Sequence, residues 1–262
     1  MTITIQEAIN AIISAVPSAP FQQTVDSIKL GDPSQPVRGI VTTFLASYEV
    51  IQKAVQLDAN LIIAHEPLFY NHLDKTDWLK EDAVYQAKRQ LVETSGLVVW
   101  RFHDYMHSMR PDPVFMGILQ ALGWQDYAKF PDLTCQIPPV TLRELVDTVK
   151  AKLGIQTLRF IGDPDMECKT VALMPGFPPV EYQVGLLNQP GVDVIICGEI
   201  HEWETSEYTR DAIRVGQKKA LIVSGHAASE EAGMRAMVPW LQERLPNVPI
   251  QFVPTATPFQ YL

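Results

Sequence analysis

Two hexapeptides, Leu61-Ile-Ile-Ala-His65-Glu66 and Val194-Ile-Ile-Cys-Gly198-Glu199, decide how this chain of 262 residues is read. Each is a short apolar run that ends abruptly on a polar or flexible residue. A run of that length, apolar at every position, is the pattern of a strand buried on both faces in a parallel sheet. Pro67 follows the first run and stops its pairing.

Working outward, strands and helices alternate, which predicts an α/β fold with crossover helices. Extended segments are expected at Val37 to Leu45, Asn60 to Ala64, Leu97 to Trp100, near Leu158 and Val171, at Val192 to Cys197, Ala220 to Ser224 and Pro249 to Val253. Helices are expected after Ser47 through Leu57, at Glu81 to Thr94 with Gly96 as the break, and at Thr141 to Leu153. Thr141 with Glu144 three residues on is a capping-box pattern. A charged helix is expected from about Glu202 and a last one from near Ser229. The proline-rich segment from Pro111 to Pro139 predicts a helix and then an irregular crossover.

The second pair of strands extends the parallel between the halves. Leu97-Val-Val-Trp-Arg-Phe-His103 matches Ala220-Leu-Ile-Val-Ser-Gly-His226 with one position of slippage. Four residues beyond each histidine stands another possible ligand, His107 or Glu230. The chain is therefore read as one domain, 1–262, made of pseudo-repeat halves of about 1–125 and 126–262. Strand ends are where α/β sheets usually carry their ligands.

Bulk properties narrow the partners. A net charge of -9 argues against nucleic acid or an anionic membrane as the main partner. No apolar run approaches the roughly 20 residues of a membrane span, and the start of the chain does not read as a signal peptide, so a cytoplasmic protein is expected. Cys135, Cys168 and Cys197 follow no metal-binding spacing and read as small buried hydrophobes.

Three clusters carry chemistry. His65-Glu66 closes a buried strand, and adjacent side chains on extended backbone point to different sides, so they can serve two ions. In His103-Asp104-Tyr-Met-His107, ligands three or four apart share one helical face. In Gly225-His226-Ala-Ala-Ser229-Glu230 the histidine and glutamate lie four apart, although Ser229 could instead cap a helix with Glu230 in its first turn. Imidazoles and carboxylates without thiolate suit Zn, Fe, Mn, Ni or Co. A carboxylate shared by two ions suits metal-assisted hydrolysis, and Glu230 is the expected bridge.

The runs His65-Glu-Pro-Leu-Phe, Asp193-Val-Ile-Ile-Cys-Gly-Glu199 and Gly225-His-Ala-Ala-Ser-Glu-Glu-Ala-Gly233 resemble the Ngg-interacting-factor-three-like family, also known as type 2 GTP cyclohydrolase-like. The resemblance runs from about Thr4 to Pro258. It implies two similar, intertwined three-layer α/β/α modules from an internal duplication, a toroidal homo-hexamer, and two divalent metal ions per chain. The implied ligands are His65, Glu66, Asp104, His107, His226 and Glu230; on a hydrolase reading, His103 or Glu199 is the expected catalytic proton shuttle. Two departures stand out. Glu66 replaces the second of two adjacent histidines, and His107 falls where the family has an aspartate. A third is Pro175-Gly-Phe-Pro-Pro179, which replaces a glycine- and serine-rich turn and offers fewer N–H groups to a phosphate. The implied activity is metal-dependent hydrolysis of a small molecule, of cyclohydrolase or phosphoester class. The competing reading is a non-catalytic metal-binding or scaffold protein.

Overall fold

A short apolar run becomes a strand only if neighbours satisfy its backbone on both sides, and the computed structural model, which describes residues 3–17 and 19–262, shows how this chain does so. In chain order its first elements are α1 (Ile5–Ser14), β1 (Ile28–Leu30), β2 (Ile40–Thr43), α2 (Tyr48–Gln56), β3 (Leu61–Ala64), α3 (Ala83–Thr94), β4 (Val98–Arg101) and α4 (Asp104–Ser108). Then come α5 (Pro113–Leu122), β5 (Ala128–Lys129), β6 (Thr134–Thr141), α6 (Leu142–Leu153), β7 (Arg159–Ile161), β8 (Glu167–Met174), α7 (Val180–Leu187), β9 (Val194–Cys197), α8 (Glu207–Arg214) and β10 (Ala220–Val223). The last are α9 (His226–Arg244) and β11 (Ile250–Phe252). The chain forms two compact units, 1–113 with 233–258 and 114–232 with 259–262.

The sheet of unit 1 has the order β1-β4-β3-β2-β11. All its pairs are parallel except β1 with β4. Val41, Ile62, Ala64 and Val99 face Val50, Ile51 and Ala54 of α2 and Tyr85 and Val92 of α3. The alternate residues serve the opposite face, as the period of two requires. There Thr42 Oγ1 donates to the Met234 carbonyl of α9, and Phe102 lies over Trp240. β11 enters this sheet from the far end of the chain, so the modules are intertwined in sequence.

In unit 2 the order is β5-β6-β8-β9-β10-β7. Val171, Leu173, Val194, Ile196, Ala220 and Ile222 pack against α5 and α6. Ala172, Ile195, Cys197, Leu221 and Val223 pack against α7 and α8. Each unit is thus a three-layer α/β/α module.

The duplication is visible in the pairing. β7, β8, β9 and β10 repeat the order and directions of β1, β2, β3 and β4, each set with an antiparallel edge strand laid on the last of three parallel ones. The register refines the sequence match. Leu61 pairs with Val98 and Val194 pairs with Ala220, so Ala220 stands where Val98 does, one residue beyond the match at Leu97. Asp104 thereby takes the place of His226, and each opens a helix.

Several expected elements shift. The end of the proline-rich crossover belongs to the long strand β6, whose pairing with β8 slips between Gln136 and Val140 around Pro138 and Pro139. A strand tolerates prolines where its ladder is already broken. The helix expected from Glu202 opens as a π-helical turn, Glu202–Ser206, before α8. The last helix begins at His226 rather than near Ser229, and Ser229 Oγ donates to the His226 carbonyl inside its first turn. The capping boxes on α1 (Thr4, Glu7) and α6 (Thr141, Glu144) are both formed. The three cysteines are buried thiols, and burial pushes Cys135 and Cys197 up to about 12 and Cys168 to about 11. Among the described residues, no helix is long and apolar enough to cross a membrane.

Candidate metal centre

In unit 1 the parallel strands deliver their last residues to one place. His65, immediately after β3, is fully buried. His103 and His107 lie just past β4 and on α4. The ring centroids of His65, His103 and His107 are 4.7 to 5.0 Å apart, and each ring offers one nitrogen such that the three atoms lie within 4.8 Å of one another.

Each ring is oriented by an oxygen on its Nδ1. The Phe102 carbonyl stands 3.2 Å from that of His65, Asp104 Oδ1 lies 2.9 Å from that of His103, and Asp112 Oδ2 lies 2.9 Å from that of His107. An oxygen on one ring nitrogen fixes the tautomer and directs the other toward an ion, as in metal-ligating histidines generally. Burial, together with His65 and His107, pushes His103 down to about 4. Its imidazole is therefore neutral at pH 7, the form a metal requires.

The helix that carries these rings is held by Asp26. Its two carboxylate oxygens accept the N–H groups of His103, Asp104 and Tyr105 at 2.7 to 3.0 Å, the anion-at-N-terminus arrangement that suits a helix start. Burial outweighs those bonds and raises the Asp26 carboxyl above the usual range. Asp104 is tied from behind. Its Oδ2 accepts the Thr24 hydroxyl and the Val25 N–H, and although burial acts upward, these bonds and that with His103 hold its carboxyl below the usual range.

Beside the rings lies a buried cation. The fully buried guanidinium of Arg101 donates to the His65 carbonyl (3.0 Å), the His72 carbonyl (2.6 Å) and Glu66 Oε2 (3.2 Å). Glu66 Oε1 stands 3.8 Å from His103 Nε2. A guanidinium does not lose its proton, and a buried charge without a partner is costly, so the pair holds Glu66 as a carboxylate.

Of the residues read from sequence, His65, Glu66, His103, Asp104 and His107 come together in unit 1. The structure puts His103 among the ring nitrogens and Asp104 behind it, where the sequence reading gave Asp104 to the metal and His103 to catalysis. Arg101, His72, Asp26 and Asp112 were not foreseen. His72 brings its ring to 5.8 Å from that of His103. Arg101 carried a readable signal, being a charged residue at the end of an otherwise apolar buried strand; His72 carried none.

Unit 2 builds its strand ends differently. His226 Nδ1 lies 3.0 Å from Glu199 Oε2, and its Nε2 lies 3.3 Å from Glu230 Oε2, so the ring is bracketed by two carboxylates. Glycines make this closeness possible. A Cβ on Gly176, whose φ is +73°, would stand 2.3 Å from Glu230 Oε1, and one on Gly198 would stand 2.4 Å from Ser229 Oγ. Ser229 Oγ accepts the Gly176 N–H, which fastens the Pro175–Pro179 turn to α9. That N–H is thus engaged within the fold.

The donor chemistry of both units, imidazoles and carboxylates without thiolate, fits borderline divalent ions. Fold and site together define a duplicated α/β protein with a histidine cluster that could hold a metal. The chain belongs to the Duf34/NIF3 (NGG1p interacting factor 3) family, whose model matches residues 3–258. It is 24% identical over 244 residues to a "GTP cyclohydrolase 1 type 2 homolog" of Clostridium acetobutylicum, covering 88% of this chain and 86% of that one. In fold it is similar to a Bacillus cereus protein related to NIF3 (TM-score 0.78, 17% identity, full coverage of both chains). A Staphylococcus aureus hypothetical protein, SA1388, aligns with TM-score 0.77 at 18% identity, again over both whole chains.

Proposed function

We propose that this chain holds two divalent metal ions and uses them for hydrolysis of a small molecule, of cyclohydrolase or phosphoester class. The observation that carries the reading is the cluster of His65, His103 and His107, with ring nitrogens within 4.8 Å and an oxygen on every Nδ1. Glu66, His226 and Glu230 complete the proposed ligand set. Support for joining them comes from the sequence blocks around His65 and His226 and from the family; support for hydrolysis comes from the names of relatives about one quarter identical to this chain. A homo-hexameric ring belongs to the same proposal and is supported by the family resemblance alone.

Divalent ions in such a set supply Lewis acidity and make water nucleophilic near neutral pH. The chain's own residues do the rest. Asp104 and Asp112 orient His103 and His107, and Arg101 holds Glu66 in its charged form. Asp104 takes an orienting role in this proposal, and His103 that of a ligand. Glu199, whose side chain is half exposed and hydrogen-bonded to His226, is the proposed proton carrier for the leaving group.

The test is a screen of zinc-, manganese- and iron-loaded protein against phosphoesters, nucleotides and cyclic amides. His65→Ala and Glu230→Ala are expected to lower any turnover at least a hundredfold. Turnover that survives both substitutions would reject the assignment. Full metal content with no turnover would leave the non-catalytic metal-binding alternative.

A further inference from the structure

Beyond Glu199 the chain runs Ile200-His201-Glu202-Trp203-Glu204-Thr205-Ser206-Glu207, three carboxylates and two aromatic rings with no Lys or Arg. The rings form a ladder. Trp203 lies on His201 with centroids 4.7 Å apart and planes 10° from parallel, and Phe177 meets the same imidazole at 4.8 Å and 74°. Glu204 Oε2, 3.2 Å from His201 Nδ1, sets the ring's orientation. Yet the ladder is open to solvent: Trp203 is 72% exposed and Phe177 41%.

Its base is rigid. Gln183 and Thr205 are buried, and the Thr205 hydroxyl donates to Gln183 Oε1 at 2.6 Å. Gln183 Nε2 donates to the carbonyls of Pro178 (2.7 Å) and Glu199 (3.3 Å). One amide therefore ties together the Phe177 turn, the Glu199 segment and the π-helical turn that bears Trp203. π-Turns are uncommon and are frequent at functional sites. An exposed aromatic face on a base already ordered loses little entropy when a ligand arrives.

The ladder also lies close to the His226–Glu230 pair in sequence, through neighbours that touch it. Phe177 follows Gly176, which stands against Glu230, and His201 lies two residues past Glu199, which holds His226. Its charge selects a ligand class. Arg159 and Arg210 pair with Glu202 and Glu207, while His226 lies against Glu199 and His201 against Glu204. A negative surface with an open indole face favours a planar cation and repels a polyphosphate.

We propose that Phe177, His201 and Trp203 form a stacking shelf that binds a planar, positively charged heteroaromatic ring beside the His226–Glu230 pair. The shelf narrows the substrate class of the hydrolase reading, but its own binding does not depend on the metal.

The probe is 1-methylnicotinamide, a planar pyridinium cation, titrated by saturation-transfer NMR against full-length protein, once treated with chelator and once loaded with zinc. Nicotinate, of similar shape and opposite charge, is the control. Saturable transfer to the cation is expected in both preparations, at least tenfold weaker for nicotinate and at least tenfold weaker in Trp203→Ala. The side chain of Trp203 is mostly in solvent, so that variant keeps its fold, which circular dichroism verifies. Equal transfer in Trp203→Ala, or equal binding of nicotinate, would overturn the shelf. Tryptophan emission that shifts to the blue with protein concentration in wild type and not in Trp203→Ala would also overturn it, by showing a second copy on the ladder. Loss of turnover with intact probe binding would count against the hydrolase reading alone.

Discussion

The two units share a strand pattern and differ where the strands end. After β3 unit 1 places His65, and after β9 unit 2 places Gly198. At the close of β4 unit 1 places Arg101, and at the same register unit 2 places Val223. Unit 1 fills its strand ends with imidazoles and a buried charge pair. Unit 2 brings its turns so close there that glycine is required at Gly176 and Gly198. One strand pattern thus carries two kinds of strand end, an imidazole cluster with a buried charge pair in one unit and close-packed glycine turns beside a histidine–carboxylate group in the other.

The most severe way to break this comparison is at Arg101. Arg101→Met should destabilise the protein by about 3–5 kcal/mol, because His65 and His72 lose their carbonyl donor and Glu66 loses its partner. Val223→Met, at the matching register, should cost about 1–3 kcal/mol through overpacking alone. Urea denaturation of both variants measures the difference, and equal losses would remove the special role of the guanidinium.

A smaller effect is expected from the glycines. Gly198→Ala forces a Cβ to 2.4–2.6 Å from Ser229 Oγ and the Gly176 backbone, and should lower the midpoint of thermal unfolding by several degrees. Gly96→Ala, in unit 1, meets no atom within 4 Å and should bear only the cost of its positive φ, about 1 kcal/mol.

The smallest expected effect is the pH dependence contributed by one buried lysine of unit 1. Lys88 lies on the buried face of α3, donates to the Leu68 carbonyl at 2.7 Å, and lies near the Phe69 and Tyr70 rings. Burial pushes its ammonium down to about 8 from 10.5. Between those values Lys88 binds more protons in the unfolded chain than in the folded one, so its contribution to stability should rise with pH from about 8 toward 10.5, while above about 9 the three buried thiols act in the opposite sense. The gain should be roughly tenfold or more in the folding constant. Below pH 8 both states are charged and the penalty is complete. Lys88→Met should flatten that rise in chemical denaturation at several pH values.

Much of this was legible in the sequence because the decisive strands are buried on both faces and therefore read as unbroken apolar runs. Ser47, Thr141 and Glu144 announced their helices through the chemistry of their caps. α1 carries the same announcement in Thr4 and Glu7. β6 was hidden by Pro138 and Pro139, since a break in the ladder looks from sequence like the absence of a strand. The histidines and carboxylates stood out by residue type, but their roles depended on angles no spacing encodes. Asp104 sits one residue from His103 and turns its carboxylate to Thr24 and Val25, far away in the chain. Ser229 looked like a helix cap and is instead a fastener for Gly176. His72 reaches the cluster from an irregular loop, where side-chain direction follows no period.

The central claim is that the histidines of unit 1 hold metal, and elemental analysis of protein purified without chelators tests it most directly. About two divalent ions per chain are expected in the wild type. In His65→Ala and His107→Ala that content should fall by half or more while circular dichroism stays unchanged. Well under one ion per chain in the wild type, or an unaltered content in both variants, would contradict the account.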